Sequence, residues 1–222
     1  MIEIKDFEKG YDKPLFTSSS ITFASGSINF VMGKNGSGKT TLFKCISGLE
    51  DYKGTITYDG RDINGAREEL FVVWDDAPFY SKLSGIANLL LFSENRKNRA
   101  EIMKIADSYL SRSILKRRVS TYSYGQKKRL ALVLLEILAP KYILMDEISN
   151  GLDVETMDLL QRRLVDLKQY ATIILTGHQF SFYQSIADRV FVKKEDGIVE
   201  VEFDKNTPNI LEKIYHEETD KS

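Results

Sequence analysis

The chain is poor in several things. It holds one cysteine, Cys45, in 222 residues, so no intrachain disulfide can form and a reducing compartment is the natural setting. It has almost no net charge, with 31 Lys and Arg against 32 Asp and Glu. An overall field that would gather nucleic acid or an anionic membrane surface is therefore absent. Long apolar runs are missing too. The longest, around residues 130–140, is broken by Glu136 and is too short to span a bilayer. The first residues, Met1-Ile2-Glu3-Ile4-Lys5, alternate as a strand does and do not open a signal peptide. No internal repeat, low-complexity segment or Cys/His cluster is present. These absences predict no nucleic-acid partner and no direct membrane insertion. Work at a membrane would need another protein to carry this one there.

What remains is ordinary globular material. Hydrophobic residues make up 42% and charged ones 28%, enough to bury a sizeable core in one large domain. Ile2, Ile4 and Phe7 read as a first strand. Residues 21–32 hold a second strand signal, with Ser25-Gly26-Ser27 as a turn inside it. A helix is predicted over residues 41–49 and closes near Gly48. Thr55-Ile56-Thr57-Tyr58 followed by Asp59-Gly60 reads as a strand entering a hairpin turn. Residues 70–74, 142–145 and 172–176 read as buried strands. From residue 85 onward strand signals give way to helical spacing (Leu89, Leu90, Phe92, then Ile102, Ile105, Ala106, Tyr109). Helices are also expected over 123–139, ended by Pro140, and over 154–169. Residues 189–193 and 198–203 flank Glu195-Asp196-Gly197 as a hairpin, and 204–222 reads as a polar, peripheral tail.

Strands alternating with helices predict an α/β fold. Early antiparallel segments predict a mixed sheet. The expected organisation is a single domain. Residues 1–84 and 120–203 form its core and 85–119 a short inserted helical subdomain.

Gly33-Lys34-Asn35-Gly36-Ser37-Gly38-Lys39-Thr40 fits the P-loop pattern in full. It follows a strand and opens a helix. The glycines let backbone N–H groups converge on phosphate oxygens, and the helix N-terminus adds partial positive charge. Lys39 is placed to reach the β- and γ-phosphates of a nucleoside triphosphate, and the Thr40 hydroxyl to bind Mg²⁺. Thr41 follows in the same first turn. The run Tyr142-Ile143-Leu144-Met145-Asp146-Glu147 delivers two carboxylates from a buried strand to the edge of the sheet. Asp146 is placed to hold Mg²⁺, and Glu147 to act as general base. His178, just past the strand at 172–176, is a candidate contact to the γ-phosphate. A surface role suits His216.

With these parts assembled, the chain resembles the nucleotide-binding domain of an ATP-binding-cassette (ABC) transporter over residues 1–203. The decisive piece is Ser123-Tyr124-Gly125-Gln126, which looks like that family's signature motif, followed by Lys127-Lys128-Arg129. A solvated helix face is the preferred reading of those three charges. Asn150-Gly151-Leu152-Asp153 looks like the loop after the family's catalytic glutamate. The resemblance implies a P-loop NTPase (RecA-like) core and ATP as the nucleotide, with Tyr11 stacking on adenine and His178 as the switch histidine. It also implies that two copies, or this chain and a homologue, sandwich two ATP molecules. Ser123, Gly125 and Gln126 of one would then face the P-loop of the other. The expected partner is an integral membrane permease, with this chain peripheral on the cytoplasmic face. Phe79 and Tyr80 are candidate docking contacts. The short insertion and the lack of a following domain hint at an exporter. A soluble ABC ATPase of the iron–sulfur assembly type, and a weakly hydrolysing regulator, are the competing readings.

The sequence departs from the family's pattern in three places. Counting back from residues 83–89, the family's lid glutamine falls on Asp75. A carboxylate there can still approach Mg²⁺, but it cannot donate as an amide does. Ile148 replaces the usual proline, and Tyr124 replaces a small residue in the signature.

Overall fold

A computed structural model describes residues 1–74, 79–93 and 96–219. Two sheets lie at its centre. The first is antiparallel, with β1 (Ile2–Gly10) between β2 (Pro14–Phe23) and β4 (Lys53–Tyr58). Its apolar residues alternate, as a one-sided sheet requires. Ile2, Ile4 and Phe7 are buried from β1, and Ile56 and Tyr58 from β4.

The second sheet has six strands in the order β5-β6-β7-β3-β8-β9. Its members are β3 (Ser27–Met32), β5 (Leu70–Val73), β6 (Tyr142–Met145), β7 (Thr172–Thr176), β8 (Arg189–Lys193) and β9 (Ile198–Val201). All pair in parallel except β9, which returns antiparallel to β8. Every residue of β3, β6 and β7 is buried. Continuous apolar runs are what a parallel strand covered on both faces needs.

Helices connect and cover the strands. α1 (Lys39–Ile46) follows β3, and the short α2 (Ile63–Ala66) follows β4. The helical insertion comprises α3 (Gly85–Phe92), α4 (Arg99–Ala106) and α5 (Arg112–Lys116). Ser84, Asn98 and Ser111 cap their N-termini with side-chain oxygens. α6 (Tyr124–Leu138), α7 (Val154–Leu167) and α8 (Phe180–Ile186) complete the cover. Residues 123–139 read as one helix, and Ser123 proves to be its N-cap.

Three expectations differ from the structure. The strand signal at residues 21–32 divides into β2 and β3, and β2 begins seven residues earlier, at Pro14. Its outward polar residues hid that start. Asp59-Gly60 makes a turn, with Tyr58 and Arg61 exchanging backbone hydrogen bonds of 2.7 and 3.0 Å, but no second strand follows. β4 pairs with the N-terminal strand instead. Finally, the segment read as a polar tail contains α9 (Ile210–Thr219). Leu211 and Ile214 of α9 are buried in the main core, and Tyr215 meets Phe180 at 5.1 Å between ring centroids. Burial is worth about 2 kcal/mol for each such aliphatic side chain, enough to hold a helix whose average composition is polar.

The topology brings the C-terminal ends of β3, β6 and β7 to one edge. Ligands of open parallel sheets bind at that edge.

Candidate functional site

The P-loop leaves β3 at Gly33 and closes on α1. Gly38 is the residue before the helix, with φ 105°, and Gly36 has φ 76°. Both angles lie where a side chain is strained. The space beside Gly36 is open, so its conformation, not crowding, requires glycine. Gly38 offers no side-chain cap, and the first backbone N–H groups of α1 stay free for an anion.

Lys39 is buried at 7% exposure. Its Nζ donates to the carbonyls of Gly33 (2.8 Å) and Lys34 (3.0 Å), which braces the loop from inside. Burial pushes the ammonium below its usual range, and the carboxylates of Glu147 and Asp146 oppose that shift. Ser37 Oγ is buried without a hydrogen-bond partner. A phosphate oxygen would supply one.

The two carboxylates that follow β6 stand in different surroundings. Asp146 is 6% exposed. Its Oδ2 accepts from the Thr40 hydroxyl at 2.8 Å, and its Oδ1 accepts from the Thr176 hydroxyl. Thr176 Oγ1 in turn accepts from the Glu147 amide at 3.3 Å. The end of β7 thus clamps the end of β6. Glu147 has φ 53°, a left-handed conformation that costs a non-glycine residue about 1 kcal/mol or more. Asn150 Nδ2 donates to Glu147 Oε2 at 3.2 Å. The other oxygen, Oε1, lies 3.4 Å from His178 Nε2. That contact lacks hydrogen-bond geometry, and Nε2 is buried without a hydrogen-bond partner.

A cavity of about 340 Å³ collects Tyr11, Asn35, Gly36, Gly38, Lys39, Thr40, Thr41 and Glu147 on its walls. Hydroxyl and carboxylate oxygens at Thr40 and Asp146 are the hard ligands that Mg²⁺ takes. With the uncapped helix start, the buried ammonium and the orphaned Ser37 hydroxyl, the residues present fit a Mg²⁺-triphosphate. Asp75, the further metal candidate, lies outside the described residues.

The Ser123 segment does not line this cavity. Ser123 Oγ accepts from the Gln126 amide at 3.2 Å, and Gln126 Oε1 accepts from the Ser123 amide at 3.1 Å. This reciprocal pair is a capping box. Tyr124 packs over the loop that follows Glu147, so that a Cβ on Gly151 would meet its ring at 3.0 Å. The bulky signature residue thereby ties α6 to that loop. The three charges after it do not form a solvated face. Lys128 is 1% exposed and donates to the Trp74 carbonyl at 3.3 Å, with Nζ 5.0 Å from the Tyr124 ring centroid. Arg129 donates to Thr156 Oγ1 at 2.7 and 2.9 Å. The spacing of Lys127-Lys128-Arg129 hid this, because position 128 faces the core. Phe79 packs edge-on to Phe92 at 6.1 Å, whereas Tyr80 is 57% exposed.

Sequence reasoning missed Thr176 and Tyr183. The Tyr183 hydroxyl is 3.0 Å from Ser149 Oγ and donates to the Thr176 carbonyl at 2.7 Å, fixing the backbone behind the acids. A threonine ending an apolar strand next to the acid-bearing one was the available signal.

Residues 16–150 match the ABC transporter family. The chain belongs to that family. The match covers more than half of the chain and takes in the P-loop, the signature and the acidic pair. The tungstate uptake system ATP-binding protein TupC of Peptoclostridium acidaminophilum is 26% identical over 85% of this chain and 92% of its own length. The lantibiotic transport ATP-binding protein SrtF of Streptococcus pyogenes is 27% identical over 92% of each. The glutamine transport ATP-binding protein GlnQ of Escherichia coli K12 is 28% identical, covering 94% of this chain and 95% of its own. Among solved structures, an ATP-binding subunit of an ABC transporter superposes with a TM-score of 0.87 at 21% identity, over 98% of both chains. That likeness speaks for the fold. The cbiO1 protein of Clostridium perfringens, part of the cbiONQ transporter complex, gives 0.74 at 25% identity, over 89% and 86%. The protein is thus an ABC ATPase with a P-loop NTPase fold. Among the described residues, no helix is long and apolar enough to cross a membrane.

Proposed function

We propose that this chain is the ATP-hydrolysing subunit of a transporter whose membrane-spanning part is a separate permease. It would sit peripherally on the cytoplasmic face of the membrane and work as a pair with a second copy or a homologue. The observation that carries this reading is the convergence of Lys39, Thr40 and Glu147 on one cavity, with Asp146 bonded to Thr40.

In this reading the amides of residues 36–40 and the Lys39 ammonium hold the β- and γ-phosphates of ATP. Thr40 and Asp146 would hold Mg²⁺, which would supply neutralisation of the charge on the phosphate oxygens. Glu147 orients a water and takes its proton as the water oxygen attacks the γ-phosphorus. The bond from that phosphorus to the β–γ bridging oxygen breaks, and ADP departs. His178, in contact with Glu147, donates to the γ-phosphate and restrains the base. Tyr11 supports the adenine. Ser123, Gly125 and Gln126 serve the P-loop of the second protomer, because they lie away from the cavity of their own chain.

Relatives at 26–28% identity are named for tungstate uptake, glutamine transport and lantibiotic transport. Such breadth on one scaffold supports assigning substrate and direction to the permease. The exposed Tyr80, stacked on Phe92 at 5.7 Å between ring centroids, offers that partner an aromatic contact. Asn88 fixes the Tyr80 backbone with hydrogen bonds of 2.8 and 3.1 Å.

The test is steady-state phosphate release by wild type and Glu147→Gln, with size-exclusion chromatography in Mg²⁺-ATP. Loss of the base should slow turnover roughly several hundred-fold and trap an ATP-bound dimer. Equal rates for the two proteins would remove Glu147 from the mechanism.

A further inference from the structure

Tyr11 lies in the turn between β1 and β2 and is 64% exposed. A ring so placed is a poor platform unless something holds it, since ordering it on binding costs free energy. The structure supplies the hold. The phenol O–H donates to the carboxylate of Glu50. Lys9 Nζ lies 5.0 Å from the ring centroid, within cation–π range. Glu50 is itself 3.2 Å from Lys9 and 3.2 Å from Lys44, and Lys9 also donates to the Asp51 carbonyl at 2.7 Å. The hydrogen bond from Tyr11 and the two ammonium groups draw the Glu50 carboxyl down to about 2, so it is ionised at any working pH.

Two aspects of the geometry give this cluster a direction. Among the described residues, Tyr11 is the one shared by the walls of the 340 Å³ cavity and a second cavity of about 640 Å³, lined also by Lys9, Phe16 and Tyr52. Lys9 lines only the second of these cavities, and Thr40 and Thr41 only the first. A base would lie in the cavity that Tyr11 shares with Thr40 and Thr41. In addition, Lys44 belongs to the last turn of α1, and Glu50 follows just after the helix, which continues through the Leu49 amide to the Lys44 carbonyl at 2.8 Å. The helix that meets the phosphates at one end carries the anchor of the base platform at the other.

We propose that Glu50 and Lys9 are positioning residues that clamp the Tyr11 ring as a preformed surface for the nucleotide base, tied to the phosphate-binding helix through Lys44. This rests on the reading of Tyr11 as the base platform. It predicts that the clamp contributes to binding of the base and not of the phosphates.

The experiment measures dissociation constants of the purified chain for Mg²⁺-ATP and for Mg²⁺-tripolyphosphate, which has no base. Glu50→Ala and Tyr11→Phe should each weaken ATP about fivefold and leave tripolyphosphate unchanged. The double variant should do no worse than either single one. Equal weakening of both ligands would make Glu50 a structural support of α1 and overturn the proposal. So would an unchanged ATP affinity in Glu50→Ala while Tyr11→Ala weakens ATP. If Tyr11→Ala itself leaves ATP affinity unchanged, the base-platform reading fails and the clamp falls with it.

Discussion

Two helix starts in this molecule carry the residues proposed to meet phosphate, and they are finished in opposite ways. α1 begins at Gly38 with no side-chain cap, and its lysine is turned inward on the loop's own carbonyls. α6 begins at Ser123 with both halves of a capping box in place. The first start is incomplete without an anion, as the orphaned Ser37 hydroxyl underlines. The second is folded and capped by itself. The Ser123 oxygen accepts the Gln126 amide and still has its proton to donate. In the proposed pairing, a γ-phosphate from a second protomer would be engaged without unmaking the cap. The difference would let one chain bind nucleotide before that second protomer completes the site.

This contrast can be broken from either side. The largest effect is expected at the first start. Among the described residues, Lys39→Ala removes the only side-chain cation on that cavity's wall, and it should abolish ATP binding in equilibrium dialysis. Ser123→Ala should act on the second start alone. It should weaken the ATP-bound dimer about tenfold by sedimentation, the scale of one hydrogen bond to a charged group, and leave ATP affinity of the monomer intact. A loss of monomer affinity would show that the two starts are not independent.

The smallest effect concerns a buried lysine behind the P-loop. Lys193 is 3% exposed, its Nζ is 4.4 Å from the Phe16 ring centroid, and burial draws its ammonium down to about 8. Between that value and the 10.5 of an unperturbed lysine, the unfolded chain binds a proton that the folded chain has released. Stability should therefore rise with pH across this window. In Lys193→Met the rise should be missing. Relative to that variant, the Tm of wild type should climb by about 3 °C from pH 8 to pH 10. Parallel pH profiles would mean that the lysine stays charged in the fold.

The chemistry-bearing segments were legible because each is local. A P-loop needs only a strand, glycines and a helix start in succession, and the acidic pair needs only an apolar run that ends in two carboxylates. Buried strands β6 and β7 declared themselves as short continuous apolar runs. Where outward residues are polar, as in the first half of β2, the pattern weakened. α9 disappeared into its composition, because two buried aliphatics among charges look like a tail until a core is there to receive them. Lys128 and Arg129 misled in the opposite sense. A charge run reads as solvated, yet helical rotation turns one member inward and gives the next a partner on α7.

By itself, then, the sequence determined the phosphate loop, the acids, the signature and the alternation of strand and helix, since each is written in contiguous residues. Only the tertiary structure decided that Thr176 bridges β6 and β7, that Tyr124 rests on the Gly151 loop, and that Glu50 holds Tyr11 from 39 residues away. Contacts of that kind depend on strand order and helix rotation. Both are settled by which faces bury against each other, which no local pattern encodes.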